Sequence, residues 1–367
     1  MVDSVNQGMD NMNKVRYALI GFGGIAENRI AKEGFACDRA RFPKGLEKAE
    51  LIGAFDVNPA REAAAKALGL KWYKSVAELL ADPAVDAAYV ATNNASHAAL
   101  AIQALNAGKH VIVEKPIATS VEDAQAMVKL AARKKLSLIV DHMMVNNAFN
   151  RLARRTVNLG KAGKINDCCF HMEFLYGATP EEAATWHCSK VSEMGGPIGD
   201  VASHCFYLAE FVLNSKITSV AAVYLPKTLG IKAEDGAYIK FTMANGITGS
   251  AKVAFSEPRG GLVGTFSNLG YEIYGTEGVI RGFGTMFQIS GHPDEPYKIR
   301  LELETAKGIK PLTPRKFPNI YQSLIEGHAE SVQTGSPLNG NDGLRNLRLC
   351  LAAHKSARNG GKAYKVR

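Results

Sequence analysis

The segment Val15-Arg16-Tyr17-Ala18-Leu19-Ile20-Gly21-Phe22-Gly23-Gly24-Ile25-Ala26 runs an apolar hexapeptide directly into a glycine-rich turn, after which a helix-compatible sequence begins. Strand, tight turn and helix in that order mark a βα unit. A second apolar run, residues 50–55, ends at Asp56; the alanine-rich residues 59–68 follow, with Pro59 where a first helical turn tolerates it. Residues 87–91 read as a buried strand, residues 96–107 as a helix closed by Gly108, and His110–Val113 as the next strand. Val121–Lys134 reads as an amphipathic helix and residues 136–140 as one more strand. Such alternation predicts a parallel sheet with right-handed crossovers over residues 15–142.

Beyond residue 142 the pattern changes. Longer β-type stretches at 167–174, 217–224, 237–241, 247–255 and 271–274 are separated by the turn signals Asn245-Gly246, Pro258-Arg259-Gly260-Gly261 and Thr276-Glu277-Gly278. Strands joined this way are antiparallel, so residues 143–367 are expected to form an α+β domain on a mostly antiparallel sheet, with late helices over 321–334 and 341–359. There is no internal repeat and no low-complexity segment.

Composition agrees with two folded domains. The chain has 367 residues, 46% hydrophobic and 22% charged, enough apolar material for sizeable cores. No apolar run reaches the roughly 18 to 20 residues that a bilayer crossing needs, so no membrane is expected as a partner. Residues 1–14 are polar, lack a signal-peptide core, and read as a short disordered tail on a cytoplasmic protein. Six cysteines without a Cys-x-x-Cys spacing are expected to be reduced thiols. The net charge of +9 is scattered over short runs without interleaved aromatics, which argues against a nucleic-acid partner.

Four motifs carry chemistry. In Gly21-x-Gly23-x-x-Ala26 the missing side chains let backbone N–H groups approach a pyrophosphate at a helix N-terminus, which makes Gly21, Phe22, Gly23, Gly24, Ile25 and Ala26 candidate cofactor contacts; an ordinary βα turn is the plain alternative. Asp56 lies 35 residues after Gly21, later than the usual spacing of about 20 because of an insertion at 35–48. Its carboxylate suits the ribose hydroxyls of adenosine and repels a 2′-phosphate, so NAD is favoured over NADP, unless Asp56 only caps the helix at Pro59. Thr92, Asn93, Asn94 and His97 follow a strand at the sheet's ligand edge, where His97 serves either as a contact or as a capping histidine. Glu114-Lys115-Pro116 ends another strand, with Glu114 on the cofactor side. Lys115 there either hydrogen-bonds a substrate hydroxyl or is a solvated loop lysine.

The fourth motif, Gly195-Gly196-Pro197-Ile198-Gly199, leads into Asp200-Val201-Ala202-Ser203-His204. Asp200 and His204 are i and i+4, one face of a helix at its start. An imidazole beside a carboxylate, poised in pKa, is equipment for taking a hydroxyl proton, although such a pair is also found as a surface ion pair or a packed core histidine. His171, His187, Cys188, His204 and Cys205 lack the spacing of a zinc site, and no metal is expected.

Taken together, the glycine turn, Glu114-Lys115-Pro116 and the Gly195–His204 motif resemble the glucose-fructose oxidoreductase / inositol dehydrogenase / rhizopine catabolism (Gfo/Idh/MocA) family over nearly the whole chain. The resemblance implies an N-terminal Rossmann dinucleotide-binding domain and a C-terminal α+β domain. The open, mostly antiparallel sheet of that second domain serves substrate binding and assembly into a homodimer or homotetramer. It implies NAD-dependent oxidation of a secondary hydroxyl of a sugar, glycoside, polyol or cyclitol, with Lys115, Asp200 and His204 in the catalytic positions: His204 as base, Lys115 polarising the oxygen, Asp200 orienting substrate and imidazole. Two segments depart from the family pattern: residues 141–148, where many members carry Arg-Phe-x-Pro and this chain has His142, and residues 185–190. His142 and Trp186 are the substrate-side candidates there, Trp186 either stacking on a sugar face or anchoring its loop. Two rival readings are an NAD-retaining hydrolase or lyase that oxidises its substrate transiently, and a non-catalytic NAD-binding regulator.

Overall fold

The computed structural model describes residues 14–257, 268–286 and 299–366. The expected tail up to residue 13 and the turn signal at 258–261 lie outside the described residues. The chain divides into two compact units, and neither is contiguous: the first takes the chain up to Glu114, Ala126–Asp141 and Tyr321–Gly340, the second Lys115–Gln125, His142–Ile320 and Asn341–Arg367.

In the first unit β1 (Val15–Ile20), β2 (Ala49–Phe55), β3 (Lys71–Trp72), β4 (Ala87–Val90), β5 (His110–Val113) and β6 (Leu138–Val140) form one parallel sheet in the order β3-β2-β1-β4-β5-β6. The winding reverses between β1 and β4, and at such a switch point a crevice opens beyond the strands' carboxyl ends. Tyr17, Leu19, Ala87 and Tyr89 are fully buried, as central strands covered on both faces must be. The insertion at 35–48 is not a free loop. Phe35 packs on Tyr17 with ring centroids 5.1 Å apart, and the Glu47 and Lys48 N–H groups donate to the Glu326 carboxylate at 2.6 and 2.9 Å.

That last contact explains a difference from the linear reading, which gave the helix near residues 321–334 to the second domain. The helix Ile320–Gln333 seats His328 against Tyr17 (Oη to Nδ1, 2.7 Å) and Ser331 against Ser137 (2.8 Å), and the chain beyond it pairs with the edge strand β6 through Leu138 N–H to Leu338 O at 2.9 Å. Periodicity shows that a helix has an apolar face but not which sheet that face will cover.

The second unit holds β7 (Ile165–Glu173), β8 (Ile217–Tyr224), β9 (Gly236–Met243), β10 (Thr248–Ala254), β11 (Leu269–Gly275), β12 (Gly278–Phe283), β13 (Arg300–Thr305), β14 (Gly308–Pro311) and β15 (Tyr364–Lys365) in the order β14-β13-β12-β11-β7-β10-β9-β8-β15. The hairpins at Asn245-Gly246 and Thr276-Glu277-Gly278 are antiparallel as expected; β7 and β10, far apart in the chain, pair parallel. Alternation is clean. In β9, Ala237, Ile239, Phe241 and Met243 are buried while Tyr238 and Lys240 are exposed, so one face packs against helices and the other is open among the described residues. Each fully buried side chain such as Phe170 or Phe241 contributes about 1.5–3 kcal/mol by leaving water. No helix among the described residues is long and apolar enough to cross a membrane, and none of the six cysteines is in a disulfide.

Candidate active site

Gly21 sits at φ +95, and a side chain there would bring its Cβ to 2.4 Å from the Ala91 carbonyl oxygen at the end of β4. Only glycine allows the turn to pass so close to the neighbouring strand. Beside Gly23 and Gly24 an added Cβ would meet nothing within 4 Å, so the backbone opens onto free space at the head of the helix Ala26–Gly34. That open cradle at the switch point fits a dinucleotide pyrophosphate. The helix is wound as a π-helix, Phe22 and Ala26 point into the core, and Ile25 is exposed.

Asp56 accepts hydrogen bonds from the Phe22 N–H at 2.6 Å and the Asn58 N–H at 2.8 Å, which ties the end of β2 to the glycine turn. The cap of the turn at Pro59 is Asn58, whose side chain accepts from the Ala60 N–H. After β4, Asn93 accepts from the Ser96 N–H at 3.1 Å, Thr92 bonds Ser96 at 2.7 Å, and the buried His97 ring lies 3.2 Å from the Thr92 carbonyl through Nε2. His97 therefore braces its own loop from below, with Asn94 buried beside it. Glu114 closes β5, its carboxylate 3.2 Å from the Tyr89 hydroxyl.

In the second unit Lys115 donates to the Asp200 carbonyl at 3.0 Å and makes a close ion pair with the Asp200 carboxylate. The side chains are only 13% and 14% exposed, so neither charge is well solvated and each depends on the other. Burial pushes the Asp200 carboxyl up, but the charges of Lys115 and then His187 hold it below the ordinary carboxylate range.

Asp200 lies on a π-turn, Ile198–Ala202, and His204 at the start of the α-helix Ser203–Val212. The expected direct pairing of these two gives way to another arrangement: Asp200 is taken by Lys115, while Nδ1 of His204 bonds the Tyr207 hydroxyl at 2.7 Å. Nor is the imidazole poised near neutrality. Burial first, then the Lys115 charge, push it down to about 3, so it stays neutral at physiological pH, as a proton acceptor must be. Its Nε2 carries no hydrogen bond among the described residues.

Tyr207 continues the chain of contacts. The His142 ring stacks on it at 4.3 Å and 20°, and Nδ1 of His142 lies 3.2 Å from the Asp342 carboxylate, which is exposed. Trp186 is half-buried and stacks on the His187 ring at 3.8 Å, and Nδ1 of His187 is buried without a partner among the described residues. The Gly196 turn rests on Glu234: an added Cβ would lie 2.5 Å from its carboxylate, which accepts the Ile198 N–H at 2.9 Å. Tyr207, Glu234 and Asp342 carry no motif that marks them as site residues in the sequence, where His187 enters only within residues 185–190 and the rejected zinc set. Tyr207 lies in an apolar run three residues after His204, and that spacing is the available signal; Glu234 comes from the loop before β9 and Asp342 from the first turn of the helix Asn341–Arg358. Among the described residues no group of three or more His, Cys, Asp or Glu could hold a metal ion.

A Rossmann sheet with an open glycine turn, joined in one chain to a unit that buries an amine, a carboxylate and an imidazole together, defines an NAD-binding oxidoreductase. Residues 15–142 match the oxidoreductase family with NAD-binding Rossmann fold, and residues 150–281 match the GFO/IDH/MocA C-terminal domain, so the chain belongs to the GFO/IDH/MocA family. A 1,5-anhydro-D-fructose reductase of Ensifer adhaerens is 32% identical over 298 residues, covering 79% of this chain and 82% of that protein. An inositol 2-dehydrogenase of Rhizobium meliloti is 24% identical over 353 residues, covering 93% and 96%. The crystal structure of an aldose-aldose oxidoreductase from Caulobacter crescentus, complexed with glycerol, superposes with a TM-score of 0.82 at 22% identity over 96% of this chain and all of that one; this likeness shows the fold.

Proposed function

We propose that the protein oxidises a secondary hydroxyl of a sugar, glycoside or cyclitol with NAD, His204 taking the hydroxyl proton. The observation that carries the reading is the buried Lys115–Asp200 pair beside a neutral His204 whose Nδ1 is already engaged by Tyr207. With Nδ1 holding its proton towards the Tyr207 oxygen, Nε2 is the basic nitrogen and accepts the hydroxyl proton. Lys115 donates to the same oxygen and stabilises negative charge as the proton leaves. Asp200 holds the lysine in place, and its own charge favours the imidazolium that forms.

When bound, NAD supplies the redox step by accepting a hydride from the carbinol carbon. The residues that would hold it are the glycine turn 21–26, Asp56 at the ribose, and the segment 92–97. Asp56 favours NAD over NADP, because a carboxylate tied to the Phe22 and Asn58 N–H groups would face a 2′-phosphate with like charge. His142 and Trp186, with His187, are the substrate-side residues of this reading. Sugar and cyclitol relatives in the family support the substrate class. A cytoplasmic location and a homodimer or homotetramer complete it; light scattering checks the assembly.

The test follows NADH absorbance across a panel of polyols, sugars, glycosides and cyclitols. Lys115→Ala and His204→Ala are each expected to lower kcat by about 10²- to 10⁴-fold. Unchanged turnover in both variants removes the mechanism.

A further inference from the structure

On the open face of the second unit's sheet, β7 turns Cys169, His171 and Glu173 to the same side, because alternate residues of a strand share a face. Nε2 of His171 lies 3.0 Å from the Cys169 sulfur, and Nδ1 lies 3.1 Å from the Glu173 carboxylate. Ser250, opposite Cys169 on β10, donates its hydroxyl to that sulfur at 3.3 Å. Thiol, imidazole and carboxylate thus stand in series, and none of them belongs to the Lys115–His204 cluster.

The charged groups around them are accounted for. Lys252 on β10 faces His171 and pairs with Glu257 at 2.6 Å. Glu272 on β11 lies opposite Cys169, and its carboxylate is held by Arg281 at 3.1 Å and by the Tyr274 hydroxyl. Burial alone would push the Cys169 thiol up, but hydrogen bonds from His171 and Ser250, with the charge of His171, outweigh it and bring the group below the ordinary thiol value. The bond to Cys169, then that to Glu173, push His171 up to about 10. Cys37, also half-buried, has no such partners among the described residues and is pushed up to about 11 by burial. A cavity of about 370 Å³ lined by Cys169, His171, Tyr238, Lys240, Ser250 and Lys252 lies over the sulfur.

We propose that Cys169 is a nucleophilic thiolate held by His171 and Glu173, and that it is a site of covalent modification by small hydroperoxides. The thiolate attacks the terminal peroxide oxygen; the S–O bond forms as the O–O bond breaks, the sulfur is oxidised to a sulfenic acid, and the departing oxygen is reduced to an alcohol or water by taking the proton from Nε2 of His171. The adjacent imidazolium N–H, held protonated, is what selects a hydroperoxide, since the strongly basic leaving oxygen needs a proton. This inference is independent of the NAD chemistry.

The experiment treats the full-length protein with near-stoichiometric hydrogen peroxide, traps sulfenic acid with dimedone and maps the six cysteines by peptide mass. Cys169 is expected to be labelled about tenfold faster than Cys37 at neutral pH, and His171→Asn to remove that advantage. Equal labelling, protection of Cys169 in the native assembly, or an unchanged rate in a folded His171→Asn variant overturns the proposal. If that variant does not fold, the pH dependence of iodoacetamide alkylation of wild-type Cys169 decides: a midpoint below the ordinary thiol value of about 8.5 supports the thiolate, and one at or above it overturns the proposal.

Discussion

Removing one oxygen separates a catalytic hold on His204 from mere packing. Tyr207→Phe keeps the ring, so the stack on His142 at 4.3 Å and the edge contact with the His204 ring at 5.5 Å persist, but Nδ1 of His204 loses its 2.7 Å partner. His204 is only 4% exposed, which leaves little room for water to replace the hydroxyl. An unsatisfied buried nitrogen costs about 1–3 kcal/mol. With the Tyr207 oxygen accepting from Nδ1–H, the neutral ring presents a basic Nε2; without it the two tautomers compete and the ring is free to turn. If the useful arrangement falls to between a tenth and a hundredth of the population, kcat falls about 10- to 100-fold, or about 1.4–2.7 kcal/mol. The assay measures kcat and KM by NADH formation on any polyol or sugar the wild type turns over, beside urea unfolding of both proteins. The expected result is a lowered kcat, a KM near wild type and a stability loss of about 1–3 kcal/mol. An unchanged kcat accompanied by that stability loss would refute the reasoning, because the hydroxyl would then serve only to satisfy a buried ring.

Asp200→Ala strips Lys115 of its carboxylate in a nearly water-free setting, so a stability loss of about 3–5 kcal/mol is expected from denaturant midpoints, together with a fall in turnover. Gly21→Ala forces a Cβ to within 2.4 Å of the Ala91 carbonyl at a positive φ; the expected result is a loss of about 2 kcal/mol or more and weaker NAD binding, read by unfolding and by fluorescence titration. Burial lowers His204 and His328 to about 3 and His354 to about 4, so on acidification the unfolded chain takes up protons first, near the ordinary histidine value of about 6.5. Stability is therefore full above that pH and is lost as pH falls towards 3, with a slope of up to about 4 kcal/mol per pH unit; a urea midpoint equal at pH 7 and pH 5 contradicts this.

Local chemistry was enough for much of the fold and for the candidate positions. Val15–Ile20 followed by Gly21-Phe22-Gly23-Gly24 dictates a strand and a turn whatever lies elsewhere, because burial on both faces asks for unbroken apolar residues and a close-passing backbone asks for glycine. Asn245-Gly246 likewise specifies its hairpin from two residues. Lys115, Asp200 and His204 could be nominated because their types suit proton transfer.

Tertiary packing decided how those residues are wired and where the helices went. Whether Asp200 pairs with His204 or with Lys115 depends on which charge is nearest once water is excluded, and 85 positions of chain separate Lys115 from Asp200. The neutral state of His204 follows from its burial, which no spacing rule encodes. The helix Ile320–Gln333 joined the first sheet because an edge strand and an insertion left N–H groups needing acceptors there. Periodicity along a chain records which face of an element is apolar; partners in hydrogen bonding and charge are chosen by atoms far away in sequence, and only the folded arrangement brings those within reach.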